Sequence, residues 1–415
     1  MAIEYTAQAV SPIVNGEVKL SISEAGLAAS ALFDVAQIPF AEIKGLVFDD
    51  YVVAVETDDG DYCFSKMGNG GRSFYDELFG AYNRAVLRSL FIKGSPLLTA
   101  CGDFTTAGAP WDEKAEMTQN VPVHVYENCI AALPPNLGAR RVPLCFASGM
   151  EKGGFGLTLK LDTGESYAFT KLGYDAAPFT DAVEKQIRAL REKSLATAKE
   201  IDPSLTVAQA SQIAKLAPLG AAAPIGRIAA IAPSFAEALS AELAKTRAAE
   251  TYKEFVQMSG AEQIYVGFRK NEKSETDEEG GADEACGADE TCGADEAQPE
   301  APASPFLLWL IAPSPDGQYA AVEFAEADSA TFVYRTGGDF GGFARQLSRA
   351  LEAIDFKREV IRLTESEIMR PENSDYYMAS RRTAALQFVR SNFVGRAIHS
   401  SPEAWKRKVR ELWGI

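Results

Sequence analysis

The sequence predicts an α+β protein, mainly antiparallel β, in which one sandwich-plus-helix blueprint is used three times. Tyr62-Cys63-Phe64-Ser65-Lys66-Met67-Gly68 returns as Tyr167-Ala168-Phe169-Thr170-Lys171-Leu172-Gly173, and a worn copy stands at Phe332-Val333-Tyr334-Arg335-Thr336-Gly337. Each of the first two copies follows a strand-like stretch and a turn, Asp58-Asp59-Gly60 or Asp162-Thr163-Gly164, and every copy precedes an amphipathic helix. A spacing of about a hundred residues is too long for a stacked solenoid repeat and suits a small domain.

In the first module, residues 1–100, Val18, Leu20 and Ile22 alternate with polar neighbours, the period of a half-buried strand. Glu24-Ala25-Gly26 reads as a turn, and further strands are expected at 31–33, 42–48 and 51–56. Asp58-Asp59-Gly60 signals a hairpin, after which Tyr62 and Phe64 share one face. Phe74, Leu78, Ala81, Tyr82 and Ala85 then form a helix stripe that needs a sheet beneath it. The second module, 113–195, repeats the plan. Its strands are expected around Val123 and Val125 and over 129–133, 141–147, 155–161 and 166–171. Its helix face is Phe179, Val183, Ile187 and Leu190. Residues 101–112, with Gly, Thr, Ala and Pro, read as a connector.

A helical segment is expected over 200–258, with Ser234 as N-cap of a long helix 235–256. The third module, 261–356, has strands at 263–268, 305–312, 318–324 and 330–335. Phe306 to Ile311 are too apolar to face water on either side. Phe343, Leu347, Leu351 and Ile354 give its helix face. A loop at 270–304 interrupts this module; residues 271–300 hold twelve Asp/Glu and one Lys and repeat Gly-Ala-Asp-Glu three times. So polar and charged a segment cannot offset its ordering entropy and reads as disordered. A basic helical segment closes the chain over 357–415, with Trp405, Val409, Leu412 and Trp413 on one face of the last helix.

The formal charge of −17 is concentrated in that acidic tract, whose local net is −11, leaving −6 elsewhere. A strongly basic surface for nucleic acid is therefore not evident, although Arg381, Arg382, Arg390, Arg396, Lys406, Arg407, Lys408 and Arg410 enrich the C-terminal segment. Met1-Ala2-Ile3-Glu4 has neither the basic start nor the apolar core of a signal peptide, and the six scattered cysteines suit free thiols in a reducing cytoplasm. Residues 216–239 are apolar, yet Pro218, Pro224, Pro233 and Arg227 argue against a membrane span.

The order of strands, turns and terminal helices resembles the pleckstrin-homology-like (PH-like) superfold, in bacterial PH-like or GRAM-like modules of unassigned function. In that family a helix plugs one open corner of a seven-strand sandwich. The resemblance implies a binding module for lipid, peptide or protein. Phosphoinositide-binding members use basic clusters in the loop between the first two strands. Ser23-Glu24-Ala25-Gly26 in module one has no base, and module two offers an isolated pair, Arg140-Arg141.

No catalytic, metal or cofactor constellation stands out. The two histidines, His124 and His399, have no supporting motif; His124 is expected to point to solvent and His399 to end a helical stretch. Cys286 and Cys292 are separated by five residues in the acidic loop, short of a four-ligand zinc pattern. Gly153-Gly154-Phe155-Gly156 lacks the Gly-Lys-Ser/Thr ending of a phosphate loop and reads as a hairpin. Lys66 and Lys171 occupy one place in two copies, with Arg335 near it in the third. They are candidate ligand or partner contacts, against the plainer reading of solvated strand ends. These residues predict a non-catalytic, cytoplasmic protein-interaction or scaffold protein with an unidentified protein partner, for which the acidic loop suits a basic one. The alternatives are a peripheral anionic-lipid binder, an enzyme with a cross-module site using carboxylates such as Asp58 or Asp162, and a histone-chaperone-like role.

Overall fold

The structure, a computed structural model, describes residues 5–108, 116–271, 305–325 and 330–415. The acidic tract from residue 272, with Cys286 and Cys292, lies outside the described residues. The chain divides into two compact units. The first joins residues 1–191 to 345–391, and the second joins 192–344 to 392–415.

The first unit holds two seven-stranded antiparallel sheets. The first sheet is built from β1 (Tyr5–Val10), β2 (Gly16–Ile22), β3 (Gly26–Ser30), β4 (Val35–Pro39), β5 (Gly45–Asp49), β6 (Val52–Glu56) and β7 (Asp61–Ser65), in the order β4-β3-β2-β1-β7-β6-β5. Helix α1 (Gly70–Ser89) follows and buries Phe74, Leu78, Ala81, Tyr82 and Ala85, the stripe that the spacing of threes and fours predicts. The second sheet comprises β8 (Leu98–Ala107), β9 (Glu116–Val125), β10 (Cys129–Ala132), β11 (Arg140–Pro143), β12 (Ala147–Gly153), β13 (Gly156–Leu161) and β14 (Ser166–Thr170). Its order, β11-β10-β9-β8-β14-β13-β12, is the first order with every strand shifted by seven. Helix α2 (Ala176–Ile201) follows.

The repeated motif explains why the two sheets match. Tyr62 and Phe64 on β7, like Tyr167 and Phe169 on β14, are buried between more open neighbours, the alternation of a strand with one dry face. Phe64 sits edge-on to Phe74 of α1 at 6.3 Å, and Phe169 lies 5.3 Å from Phe179 of α2. The second aromatic of each module's last strand thus meets the first aromatic of the helix that follows it.

Three local expectations are corrected. Residues 101–112, read as a connector, supply most of β8, which starts at Leu98, ahead of the expected module start at 113. The pairing with β9 shifts register between Gly102 and Phe104, and a Cβ on Gly102 would come within 2.5 Å of the Thr170 carbonyl. The glycine that suggested a connector is therefore a paired residue of a strand, beside a bulge whose extra residue lies on β9 between Val121 and Thr118. Residues 31–33 are the tip of the β3–β4 hairpin, where Leu32 and Phe33 are exposed. The loop between the first two strands is 11–15, not 23–26, and it too carries no base.

Within this unit the second sheet's β10–β11 loop covers an edge of the first. Gly45 of β5 bridges Asn136, Leu46 donates its N–H to the Pro135 carbonyl, and Leu137 donates to the Lys44 carbonyl. An edge that would otherwise template another chain is closed. The unit is completed by helices from residue 345 onward, α8 (Glu359–Arg362), α9 (Glu365–Ile368), α10 (Ser374–Arg382) and α11 (Ala384–Ser391). Helix α10 packs on α1, with the Arg88 guanidinium 2.8 Å from Asp375.

The second unit is arranged differently. Its sheet has six antiparallel strands in the order β15 (Ala222–Pro224), β16 (Tyr265–Lys270), β17 (Phe306–Pro313), β18 (Tyr319–Phe324), β19 (Ala330–Arg335) and β20 (Phe393–Ile398). This neighbour-to-neighbour meander departs from the expected third use of the blueprint, although the motif survives locally. Tyr334 is buried and lies 5.4 Å from Phe343 of α7 (Phe340–Ala353). From Arg345 onward α7 belongs to the first unit. Strands β17 to β19 are buried on both faces and so read as near-continuous apolar runs. Gly267 of β16 leaves room for the Trp309 indole, which a Cβ there would strike.

Around this sheet lie α3 (Val207–Leu216), α4 (Ile225–Ile231), α5 (Pro233–Ala244), α6 (Ala248–Ser259) and α12 (Pro402–Trp413). Thr206 caps α3 through a capping box with Gln209. The expected long helix 235–256 is two helices. Pro233 opens α5 at N1, where its missing N–H costs nothing, and Ser234, the expected cap, instead donates its hydroxyl to Asp202 at 2.7 Å. Trp405 and Phe255 meet at 5.7 Å, and Trp405, Val409 and Trp413 of α12 are buried as the sequence face predicts. Among the described residues no helix is long and apolar enough to cross a membrane.

Candidate functional site: an arginine-lined cavity in the first unit

Arg140 and Arg141 are not an isolated pair. The fold of the first unit gathers Arg349, Arg381 and Arg382 around them to line a cavity of about 260 Å³, with Glu165 and Tyr167 from the start of β14. The chain's two Arg-Arg doublets thus meet, one from edge strand β11 and one from the end of α10.

Two of the five guanidiniums are neutralised where they stand. Arg141 is 4% exposed and places Nη2 2.7 Å from the Glu352 carboxylate, while Nη1 donates to the carbonyls of Leu90 and Ala353 at 3.3 Å. Arg349 donates Nη2 to the Arg141 carbonyl at 2.8 Å and lies 3.5 Å from Glu352 and 3.6 Å from Glu165. The Arg349 guanidinium loses water by burial, yet Glu165, Tyr167 and Glu352 together more than offset that loss and hold its pKa above the ordinary value. Burial pushes the Tyr167 phenol upward, so it stays a neutral hydroxyl against Glu165 and Arg349. Burial likewise pushes the Cys129 thiol up to about 11, away from any thiolate chemistry.

The other three lack that balance. Arg382, 2% exposed, donates Nη2 to the Tyr82 hydroxyl at 2.6 Å and Nη1 to the Met378 carbonyl at 3.1 Å. Burial, partly offset by Tyr82 and reinforced by the like charges of Arg381 and Arg140, holds its pKa below the ordinary arginine value. Among the described residues Arg140 donates only to the carbonyls of Leu137 and Ala139. Arg381 donates to the Ala41 carbonyl at 3.2 Å and stands 3.5 Å from Asp58, a carboxylate whose nearer partner is Lys44. That lysine, more than Arg381, draws the Asp58 carboxyl below its usual range.

The residues singled out by repeat position lie elsewhere. Lys66 and Lys171 both take the left-handed backbone, at φ 60° and 54°, and each is followed two residues later by a left-handed glycine. Their common feature is the strand-to-helix turn. Lys171 reaches Asp103 at 2.7 Å, and its ammonium is the main reason that the carboxyl is held below its usual range. Arg335 is exposed at the end of β19, where its N–H bonds the Asn392 carbonyl. None of the three lines the cavity.

The histidines are placed differently from expectation. His124 is half-buried, stacked at 6.3 Å on Tyr126, and its loss of water depresses its pKa. His399 follows a strand, β20, and stacks on Trp405 at 5.6 Å. Its Nε2 faces Glu323 at 3.0 Å and Thr331 at 3.5 Å, while Thr331 donates to the same carboxylate and accepts from the Trp405 indole at 2.7 Å. A hydroxyl–histidine–acid relay needs the acid and the hydroxyl on opposite ring nitrogens. Here one nitrogen serves both, which describes a buried polar clasp between β18, β19 and α12.

Local patterns hid the arginine site because its members lie far apart in the chain: Arg141 and Arg349 are 208 residues apart, and Arg381 and Arg382 lie farther still. The paired doublets were the one available signal. Comparison of the chain with the sequence profiles of known protein families and with curated proteins returns no match.

Proposed function

We propose that the chain is a non-catalytic, cytoplasmic interaction or scaffold protein whose first unit is a tandem of PH-like modules. The observation that carries this reading is the double use of one seven-strand order, each time followed by a helix seated on the same aromatic. That is the arrangement which the PH-like resemblance implies, and the fold is used for binding more than for chemistry. The meandering third sheet restricts the PH-like reading to two modules.

Crosslinking followed by affinity capture, with the full chain and with residues 271–300 deleted, tests it. A saturable partner retained as salt is varied is expected, and a basic partner should depend on the acidic tract. Capture of nothing specific at any salt concentration sinks the reading. Flotation with anionic liposomes separates the lipid-binding alternative.

A further inference from the structure

We infer that the arginine-lined cavity of the first unit binds a small anion bearing a phosphate group, held by Arg140, Arg381 and Arg382. The charge ledger points to this chemistry. Glu352 and Glu165 answer Arg141 and Arg349, a balanced set of two and two. Among the described residues Arg140 and Arg382 have no carboxylate partner, and Arg381 shares exposed Asp58 with Lys44. Between two and three positive charges are therefore left facing one cavity. Holding like charges together at a partly buried place is costly unless an anion joins them.

The donors are also under-used. A guanidinium carries five N–H groups in a rigid fork. Among the described residues the buried Nε of Arg382 has no hydrogen-bond partner, nor has that of Arg141, and the Nε of Arg349 meets Glu165 only at 3.6 Å. Buried donors without acceptors are uncommon and call for an absent partner. An acceptor-rich group of charge near −2 or −3 fits both shortages at once. A phosphate monoester or a pyrophosphate supplies that charge with several oxygens, and arginine forks match phosphate geometry bidentately. A single carboxylate would leave at least one charge unmatched. At about 260 Å³ the cavity admits a phosphate-sized group and excludes a large cofactor.

The site is separate from the loop between the first two strands, and it does not rest on the scaffold reading, since capture experiments report the module surfaces and the titration below reports the cavity. The purified full chain is titrated with sodium pyrophosphate and with inorganic phosphate, each against sodium chloride of equal ionic strength, following Tm and heat of binding. A saturable rise in Tm with at least one of the two phosphates is expected. Arg140→Gln and Arg381→Gln, at partly exposed positions, are expected to keep the unliganded fold and to weaken binding by about tenfold or more, the loss of one charge-assisted contact. Phosphatidylcholine vesicles with and without phosphatidic acid distinguish a soluble phosphate from a lipid headgroup. Retention on phosphatidic acid that Arg140→Gln abolishes assigns the headgroup as the source. No phosphate response beyond that of chloride, with no vesicle retention sensitive to Arg140→Gln, overturns the site, as does binding that both variants leave unchanged.

Discussion

The two sheets of the first unit share their strand order and differ at one edge. The β3–β4 and β10–β11 hairpins pair in the same register. Gly26 faces Pro39 as Cys129 faces Pro143, and Ala28 faces Gln37 as Ala131 faces Arg141. At matched positions the first sheet carries Ala36 and exposed Gln37, where the second carries Arg140 and buried Arg141. One backbone plan therefore ends in water in one module and in a charged, half-dry site in the other. The cause lies outside the strands, in helical residues from 345 onward that supply Glu352, Arg349, Arg381 and Arg382. Duplication of a fold provides the frame, and what covers its edge provides the chemistry.

The shared part of the comparison is the most exposed to breakage. Phe64→Ala and Phe169→Ala each remove a fully buried ring that touches the following helix. Each is expected to destabilise by about 3–5 kcal/mol. Urea unfolding of the two variants should give losses within about 1 kcal/mol of each other, allowing for the context dependence of cavity costs. A large loss in one and a negligible loss in the other would break the equivalence of the modules.

The unshared part comes next. Glu352→Gln leaves buried Arg141 and Arg349 without their common carboxylate and is expected to cost about 3 kcal/mol. The double replacement Arg141→Met with Glu352→Leu should recover most of that loss, because an apolar pair of similar size avoids the desolvation of both charges. Recovery that fails would mean that the hydrogen bonds from Arg141 to Leu90 and Ala353, rather than the charge pair, hold this edge.

What could be read in advance follows the same division. The repeated Tyr-x-Phe motif, the turns and the helix stripes are local, so the later strands of both modules and helix α1 were legible from spacing alone. Strand β8 was not, because Gly102-Asp103-Phe104-Thr105-Thr106 has the composition of a connector and becomes a strand only through pairing with β9 and β14. The third copy misled for the opposite reason. Phe332 to Gly337 keeps the local motif, while strand order is set by distant partners such as β20. The arginine site was least legible, since its charges meet only after three chain segments fold together.

The turn lysines sharpen the comparison at a smaller scale. Both Lys66 and Lys171 hold a left-handed backbone that costs a side-chain-bearing residue about 1 kcal/mol. Lys66→Gly should therefore raise stability by about 1 kcal/mol. Lys171→Gly gains the same relief but loses the contact with Asp103, so it should gain less. The carboxyl of Asp103 is depressed in the folded state, so its contribution is present above the ordinary carboxylate range and is lost as pH falls through the lower, folded value. Acid unfolding of Asp103→Asn should accordingly be less steep at the acid end. In module one Gln8 faces Ser65, where Asp103 faces Thr170, so Gln8→Asn should leave the acid limb unchanged.

The smallest expected effect is the most direct statement of what separates the modules. Gln37→Arg places in the first sheet the residue that the second sheet carries at the matched position. Position 37 is exposed on edge strand β4, so its new guanidinium keeps its water. A change within about 0.5 kcal/mol is expected. The new arginine should also fail to create a phosphate response in an Arg140→Gln background, since Arg349, Arg381 and Arg382 gather at the other module. A stability loss of the size expected for Glu352→Gln would show that position 37 is not open to water. It would also show that the two edges are more alike than their burial makes them.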